Sequence, residues 1–176
     1  MGFALSLVKR GRVWKFGDSI ETDAINPYYR FPTMEELKQH TMEAYRPEFP
    51  KQVMPGDIMV AGRNFGCGSS RPGLVLREVG IAAIVAESVA RLFLRNSISR
   101  AIPIFVAPGV TAIVQDGETL EVDYAKGVVR NPASGKAVAL RKFPPMIEKI
   151  FECGGLPEFA RERYLKEVAS ASRSKA

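Results

Sequence analysis

The chain has 176 residues, 46% hydrophobic and 25% charged, with a formal net charge of +6. This is the make-up of one globular domain with a sizeable core, and no run reaches the roughly 18 apolar residues of a membrane span. The opening MGFALSLVKRGRVWKF lacks the apolar length and cleavage pattern of a signal peptide, so the expected compartment is the cytoplasm.

Residues 11–16, GRVWKF, alternate as a strand does, and GDSIETDAINP reads as an irregular segment closed by Pro27. Thr33 with Glu36 has the capping-box spacing and predicts a helix to about Tyr45, with His40 on its solvated polar face. MPGD is a turn and IMVA, 58–61, a strand. LVLREVG at 74–80 reads as helix, IAAIVA at 81–86 as a doubly buried strand, and SVARLFLRNSI at 88–98 as an amphipathic helix N-capped by Ser88. IPIFVA, 102–107, is another buried strand. This alternation predicts βαβ units and a parallel sheet. From Thr111 to Leu140 the chain reads as short strands turned at Asp116-Gly117, Lys126-Gly127 and Ser134-Gly135. PMIEKIFECGG is a helix stopped by Gly154 and Gly155, and Pro157 opens a last helix to about Val168. The expectation is a single α/β domain over 1–176, with a core over about 11–165 and a basic tail over about 166–176.

Residues 161–176 carry five bases against two acids, half of the net charge. Such a tail can mark nucleic-acid binding, but no basic stripe with interleaved aromatics accompanies it, and a solvated helix end accounts for it. Neither a nucleic-acid nor a membrane partner is expected. Cys67 and Cys153 are too few for a disulfide framework or for an iron–sulfur cluster, which takes about four thiolates.

One stretch is not written like a strand or a helix. NFGCGSSRPG, from Asn64 to Gly73, follows the strand at 58–61 and precedes a helix. Ligands of open α/β sheets bind at the carboxyl ends of strands near helix N-termini. Gly66 and Gly68 allow close backbone approach, Pro72 suits a first helical turn, and Arg71 offers a fork for a carboxylate or phosphate. The stretch is neither a P-loop nor GxSxG, and with His40 the single histidine it makes no serine triad. By local physics alone it is either an anion site with a serine pointing into it or a tight glycine turn with helix-capping serines.

The blocks GRVWKFGDSIETDAINP, GDIMVAGRNFGCGSSR, GIAAIVAESVARLFLRNSI and the late GLP together resemble the small subunits of the isopropylmalate dehydratases. These carry the swivel domain of the aconitase superfamily as a separate chain, and the likeness runs from about Gly11 to Leu165. It implies an aconitase-type swivelling β/β/α domain in the α/β class. It also implies a larger partner chain that holds a [4Fe–4S] cluster, no cofactor or metal in this chain, and a small hydroxy-diacid substrate isomerised by dehydration and rehydration, as in leucine biosynthesis. By the same resemblance Ser69 is the catalytic base, Arg71 binds a substrate carboxylate, and Ser70 and Gly68 line the pocket. Asp23 orients a histidine of the partner, and Cys67 sits at the pocket edge. The alternative for Asp23 is an Asx turn.

Two departures stand out. The family continues Ser-Ser-Arg with Glu-His where this chain has Pro72 and Gly73, and Ser99 and Arg100 replace small residues after RNSI. Tyr28-Tyr29-Arg30-Phe31 overlies the family's specificity stretch, where Arg30 would suit an additional carboxylate. Homoaconitase, a dimethylmalate dehydratase subunit and a non-catalytic anion-binding module are the alternative functions.

Overall fold

The computed structural model describes residues 8–71 and 73–173; Pro72, read above as a first-turn residue, lies outside them. Seven strands form one sheet in the order β4-β3-β2-β1-β5-β6-β7. β1 (Lys9–Lys15), β2 (Ile58–Ala61), β3 (Ala83–Ala86) and β4 (Ile104–Val106) run parallel, and β5 (Thr119–Asp123), β6 (Val128–Arg130) and β7 (Ala137–Ala139) continue antiparallel from the other side of β1. The parallel half comes from the βαβ segments; in the antiparallel half the hairpins β5–β6 and β6–β7 turn at Gly127 and Gly135, and Gly117 turns the chain into β5, all three at positive φ.

Strand alternation divides the core between the two faces of the sheet. Trp14, Met59, Ala61, Ile84 and Ala86 pack on one side with Phe49, Phe65 and Phe93. Val13, Ile58, Val60, Ala83 and Val85 pack on the other with Phe105, Val122 and Phe151. β2 and β3 are buried at every position, which is why they read as continuous apolar runs rather than alternating ones. Asp57 pins the start of β2 to β1. Its carboxylate accepts from Trp14 Nε1 at 2.7 Å, from Arg12 Nη2 at 2.6 Å and from the Met54 N–H at 3.0 Å. Burial pushes its pKa up, but these donors and the Arg12 charge outweigh that and hold it below the ordinary value.

Several elements differ from the expectations. Thr22–Ile25 forms a short helical turn, α1, inside the segment read as irregular, and Phe49–Gln52 forms another, α3. The capping box of Thr33 and Glu36 is present, but α2 (Met34–His40) ends five residues before Tyr45. Tertiary bonds stop it: buried Thr41 donates its hydroxyl to the Ile25 carbonyl, and Met42, with φ 60°, donates its N–H to Ala24. His40 is therefore terminal and half-buried, stacked on Phe31 at 3.7 Å, with Nδ1 2.6 Å from Glu43.

α4 is Leu74–Glu78. α5 starts at Arg91 rather than at 88, because the Ser88 hydroxyl accepts from the Asn64 N–H instead of capping a helix. Residues 110–113, read partly as strand, form the helical turn α6 (Val110–Ile113). The Glu87 carboxylate binds its first turn, accepting from the Gly109 N–H, the Thr111 N–H and the Thr111 hydroxyl. α7 (Pro145–Cys153) ends at Gly154 in the left-handed region, as expected, and α8 runs over Leu156–Arg173, five residues beyond Val168.

Candidate functional site at the ends of β1 and β2

β1 and β2 are parallel neighbours, so both chains leave the sheet at the same edge. They stay paired beyond the strands: Gly62 N–H donates to Gly17, Ser19 to Arg63, Gly66 to Ile20 and Thr22 to Cys67. On its other side the glycine stretch is tied to the loop after β3, through Phe65 N–H to Ser88 and Ala90 N–H to Phe65. It is thus a central ribbon held from both sides.

The glycines make this course possible. A Cβ on Gly62 would lie 1.9 Å from Asp18 Oδ1, and one on Gly66, where φ is 77°, would lie 2.2 Å from the Phe93 ring. Gly73 also sits against that ring, with 2.9 Å from a notional Cβ to its tip. The family's histidine could not take Gly73's place without moving Phe93.

The ribbon delivers Ser69 to Thr22. Ser69 N–H donates to Thr22 Oγ1 at 2.8 Å, and the two hydroxyl oxygens are 3.0 Å apart. Thr22 is 1% exposed while Ser69 is half-buried. Gly68, beside it, is exposed and at φ 101°. Ser70 is exposed, and its carbonyl accepts from the side-chain amide of Asn96 on α5.

Arg71 is fixed from two directions. Its Nη1 donates to Asp23 Oδ1 at 3.0 Å, and its guanidinium lies 4.1 Å from the Tyr29 ring centroid and 5.9 Å from that of Tyr28. Asp23 thus meets Arg71 within the chain and remains 62% exposed at its side chain. Arg30 is exposed on the same loop, 5.5 Å from the Phe31 ring. It lines an open groove of about 570 Å³ with Asp23, Phe31, His40, Glu43 and Tyr45. A second groove, of about 640 Å³ between α7 and α8, contains none of these groups.

The six residues singled out from the sequence, Asp23, Arg30, Gly68, Ser69, Ser70 and Arg71, therefore lie on two loops that meet at one end of the parallel strands. One part of the expectation is corrected. The N–H groups of Phe65, Gly66, Cys67 and Ser69 are spent on Ser88, Ile20 and Thr22, so they do not point at a ligand. α4 begins only at Leu74, beyond Arg71. What the corner presents is a serine hydroxyl backed by a buried threonine and an arginine bonded to a carboxylate and lying over two tyrosine rings. A guanidinium, whose fork can bind a carboxylate through two bonds, beside a hydroxyl suits a substrate that carries a carboxylate next to the reacting carbon.

Sequence reasoning passed over Thr22 and Asn96. Their roles depend on which residue of one loop lies beside which residue of another, and spacing along one segment does not carry that.

Residues 15–107 match the aconitase C-terminal domain family. A 3-isopropylmalate dehydratase small subunit of Methanopyrus kandleri is 45% identical over 158 residues, covering 88% of this chain and 93% of its own length. A methanogen homoaconitase small subunit of Methanothermobacter thermautotrophicus is 44% identical, covering 90% and 92%. A crystal structure of 3-isopropylmalate dehydratase from Methanocaldococcus jannaschii superposes with a TM-score of 0.85 at 34% identity, over 93% of this chain and 99% of that one.

Proposed function

The chain belongs to the aconitase-family small subunits of the 3-isopropylmalate dehydratase type, and from that premise we propose that it is the small subunit of a cytoplasmic hydro-lyase acting on a 2-hydroxy diacid, in the first place 3-isopropylmalate. The observation that carries this is the meeting of Ser69, Thr22, Arg71 and Asp23 at the ends of β1 and β2. Arg71 holds a substrate carboxylate. Ser69 takes the proton of the adjacent carbon, and the electron pair of the broken C–H bond becomes the second bond of the alkene as the neighbouring hydroxyl leaves as hydroxide. Rehydration with the opposite placement completes the isomerisation.

The donor set does not fit an iron–sulfur cluster held by this chain. Its two thiols sit apart in the fold, Cys67 in the glycine ribbon beside Ile20 and Cys153 at the end of α7 against Glu162. No group of three or more His, Cys, Asp or Glu side chains among the described residues is placed to hold a metal. The cluster, and the Lewis acidity it supplies when bound, belongs in this proposal to the large subunit. The corner is open to solvent at Gly68, Ser70 and Tyr29, as a half-site completed by another chain would be. Among the described residues no helix is long and apolar enough to cross a membrane.

The test is reconstitution. The small subunit alone is expected to show no turnover, and mixing it with its cluster-loaded large subunit should give dehydration of 3-isopropylmalate, followed by the absorbance of the unsaturated diacid. Activity from the pure chain would overturn the assignment.

Arg30 favours a second reading, a substrate with an additional carboxylate, as the name of the homoaconitase relative suggests. If Arg30 pairs with that group, Arg30→Ala should cut kcat/KM for a homocitrate-type acid by about 10–100-fold, as loss of a charge-assisted bond does, and leave 3-isopropylmalate nearly unchanged. A small uniform effect on both acids would place Arg30 outside recognition.

A further inference from the structure

The first turn of α5 is written against its own helix. A helix presents free N–H groups and partial positive charge at its N-terminus, where acidic side chains and hydroxyl caps belong. α5 has neither: Ala90 offers no side-chain cap, no acid lies in the first turn, and Arg91 opens the helix. Arg95 follows at i+4, where a like charge repels. Among the described residues no carboxylate pairs with either guanidinium. Glu87, the nearest acid along the chain, is bound to the first turn of α6. Both arginines are exposed, and Leu92 between them is 49% exposed.

We propose that Arg91, Leu92 and Arg95 form a docking ridge for an acidic surface of the large subunit, beside the cleft that this chain completes. This rests on the reading of the chain as one half of a two-chain enzyme. The inner side of α5 ties the ridge to the site. Fully buried Phe93 meets Phe65 of the glycine ribbon edge-on, with ring centroids 5.5 Å apart, and Asn96 donates its amide to the Ser70 carbonyl. The outer side of the helix therefore continues the open corner of Ser69 and Arg71 rather than forming a separate patch. The chemistry of the ridge fits carboxylates. Two guanidiniums offer forks for them, and the leucine between supplies the apolar contact that a charged rim surrounds. Nucleic acid suits it less. Two cations on a helix of nine residues neutralise few phosphates, and the helix's one aromatic ring, Phe93, is buried and so offers no stacking platform.

The test measures the affinity of the small subunit for the cluster-loaded large subunit and the activity of the saturated complex. Arg91→Glu and Arg95→Glu should each weaken Kd by about tenfold or more, chiefly through slower association, and the double variant by more than either. The loss of affinity with added salt should be shallower in the variants than in wild type. With the small subunit in excess, kcat should stay within about twofold of wild type, because the ridge acts on assembly and not on the reacting atoms. Lys136→Glu, the same change of charge on the exposed turn between β6 and β7, should leave Kd unchanged. The isolated Arg91→Glu subunit should melt at or above the wild-type temperature, since an acid suits the first helical position. An arginine kept for the fold would give the reverse, lower melting with Kd unchanged. Should a reversal fail to fold, Arg91→Gln and Arg95→Gln are expected to weaken Kd in the same direction by a few fold. Unchanged affinity in the variants, or a loss matched by Lys136→Glu, overturns the ridge and leaves the assignment of the site standing. So does a reversal that acts only on self-association of the small subunit or only on its binding to duplex DNA. A wild-type small subunit that neither binds the large subunit nor restores turnover overturns that assignment, and the ridge with it.

Discussion

Replacing Ser69 by alanine separates two roles that one hydroxyl can play. Loss of a turn-stabilising hydroxyl costs about 0.5–2 kcal/mol of stability, whereas loss of a general base removes at least about 10²-fold in rate. The expected outcome for Ser69→Ala is the second, with assembly and KM preserved; a normal rate per folded complex would return the serine to a structural part. Gly66 gives the opposite case. At φ 77° and with a notional Cβ 2.2 Å from Phe93, Gly66→Ala should destabilise the chain by about 2 kcal/mol or more, read as a lower melting temperature of the isolated subunit. At this scale the sequence exposed Ser69, Arg71 and Asp23, since glycine, hydroxyl and guanidinium crowd into one short stretch and the resemblance placed the aspartate. It did not expose Thr22. β1 and β2 pair with Val13 opposite Ile58, but further along Glu21 bridges Cys67 and Thr22 meets Ser69. The register slips by one residue at each step, through glycine-rich bends that leave no periodic trace.

Elements marked by a continuous apolar run, an apolar period or turn glycines were legible, and the single helical turns were not. β2 and the hairpin strands were found because continuous burial or turn glycines mark them. α1, α3 and α6 each span four residues, about one helical turn, so no apolar stripe repeats within them. α6 owes its form to a residue far along the chain, Glu87. Burial raises the pKa of that carboxyl, but its bonds from Thr111 and Gly109, with the Arg63 charge, hold it below the ordinary value. A depressed carboxyl pKa gives stability that is present above the unfolded-state value and lost as pH falls through the folded-state value. Glu87→Gln should therefore cost about 1–2 kcal/mol at neutral pH, at the low end for charge-assisted bonds because the carboxylate is partly exposed. The gap between wild type and variant should close as pH falls below the ordinary glutamate range, which urea unfolding at stepped pH would reveal. Equal acid sensitivity of the two proteins would remove Glu87 as a cap.

For the whole molecule, the parallel half of the sheet was legible from the alternation of strand and helix, and the antiparallel half from its turns. Their fusion through β1 was not, because the pairing of β1 with β5 joins residues more than a hundred positions apart. That fusion creates the second core, around Phe105, Tyr124, Phe143 and Phe151. Tyr124 ties it together. Its hydroxyl donates to Glu148 on α7 at 2.8 Å and accepts from the Phe143 N–H at 2.8 Å. Burial, and the neighbouring Glu148 charge, push its pKa from 10.0 up to about 12. The folded chain thus holds this proton more tightly than the unfolded chain does. The resulting stability is complete below the unfolded-state value and is lost as pH rises through the folded-state one. Tyr124 is 5% exposed, so the shift converts to about 2–3 kcal/mol with little discount for solvent. The isolated subunit should accordingly lose about that much stability between pH 10 and 12. An ultraviolet titration should show one tyrosine step near pH 12 that is missing from Tyr124→Phe. The variant should be less stable than wild type at neutral pH by about 1 kcal/mol, through the unpaired Phe143 N–H, and should lose less of its stability at high pH. If the two proteins unfold identically across the alkaline range, the second core does not depend on this hydroxyl, and its cohesion rests on apolar packing, the stacked rings of Tyr124, Phe143 and Phe151 included.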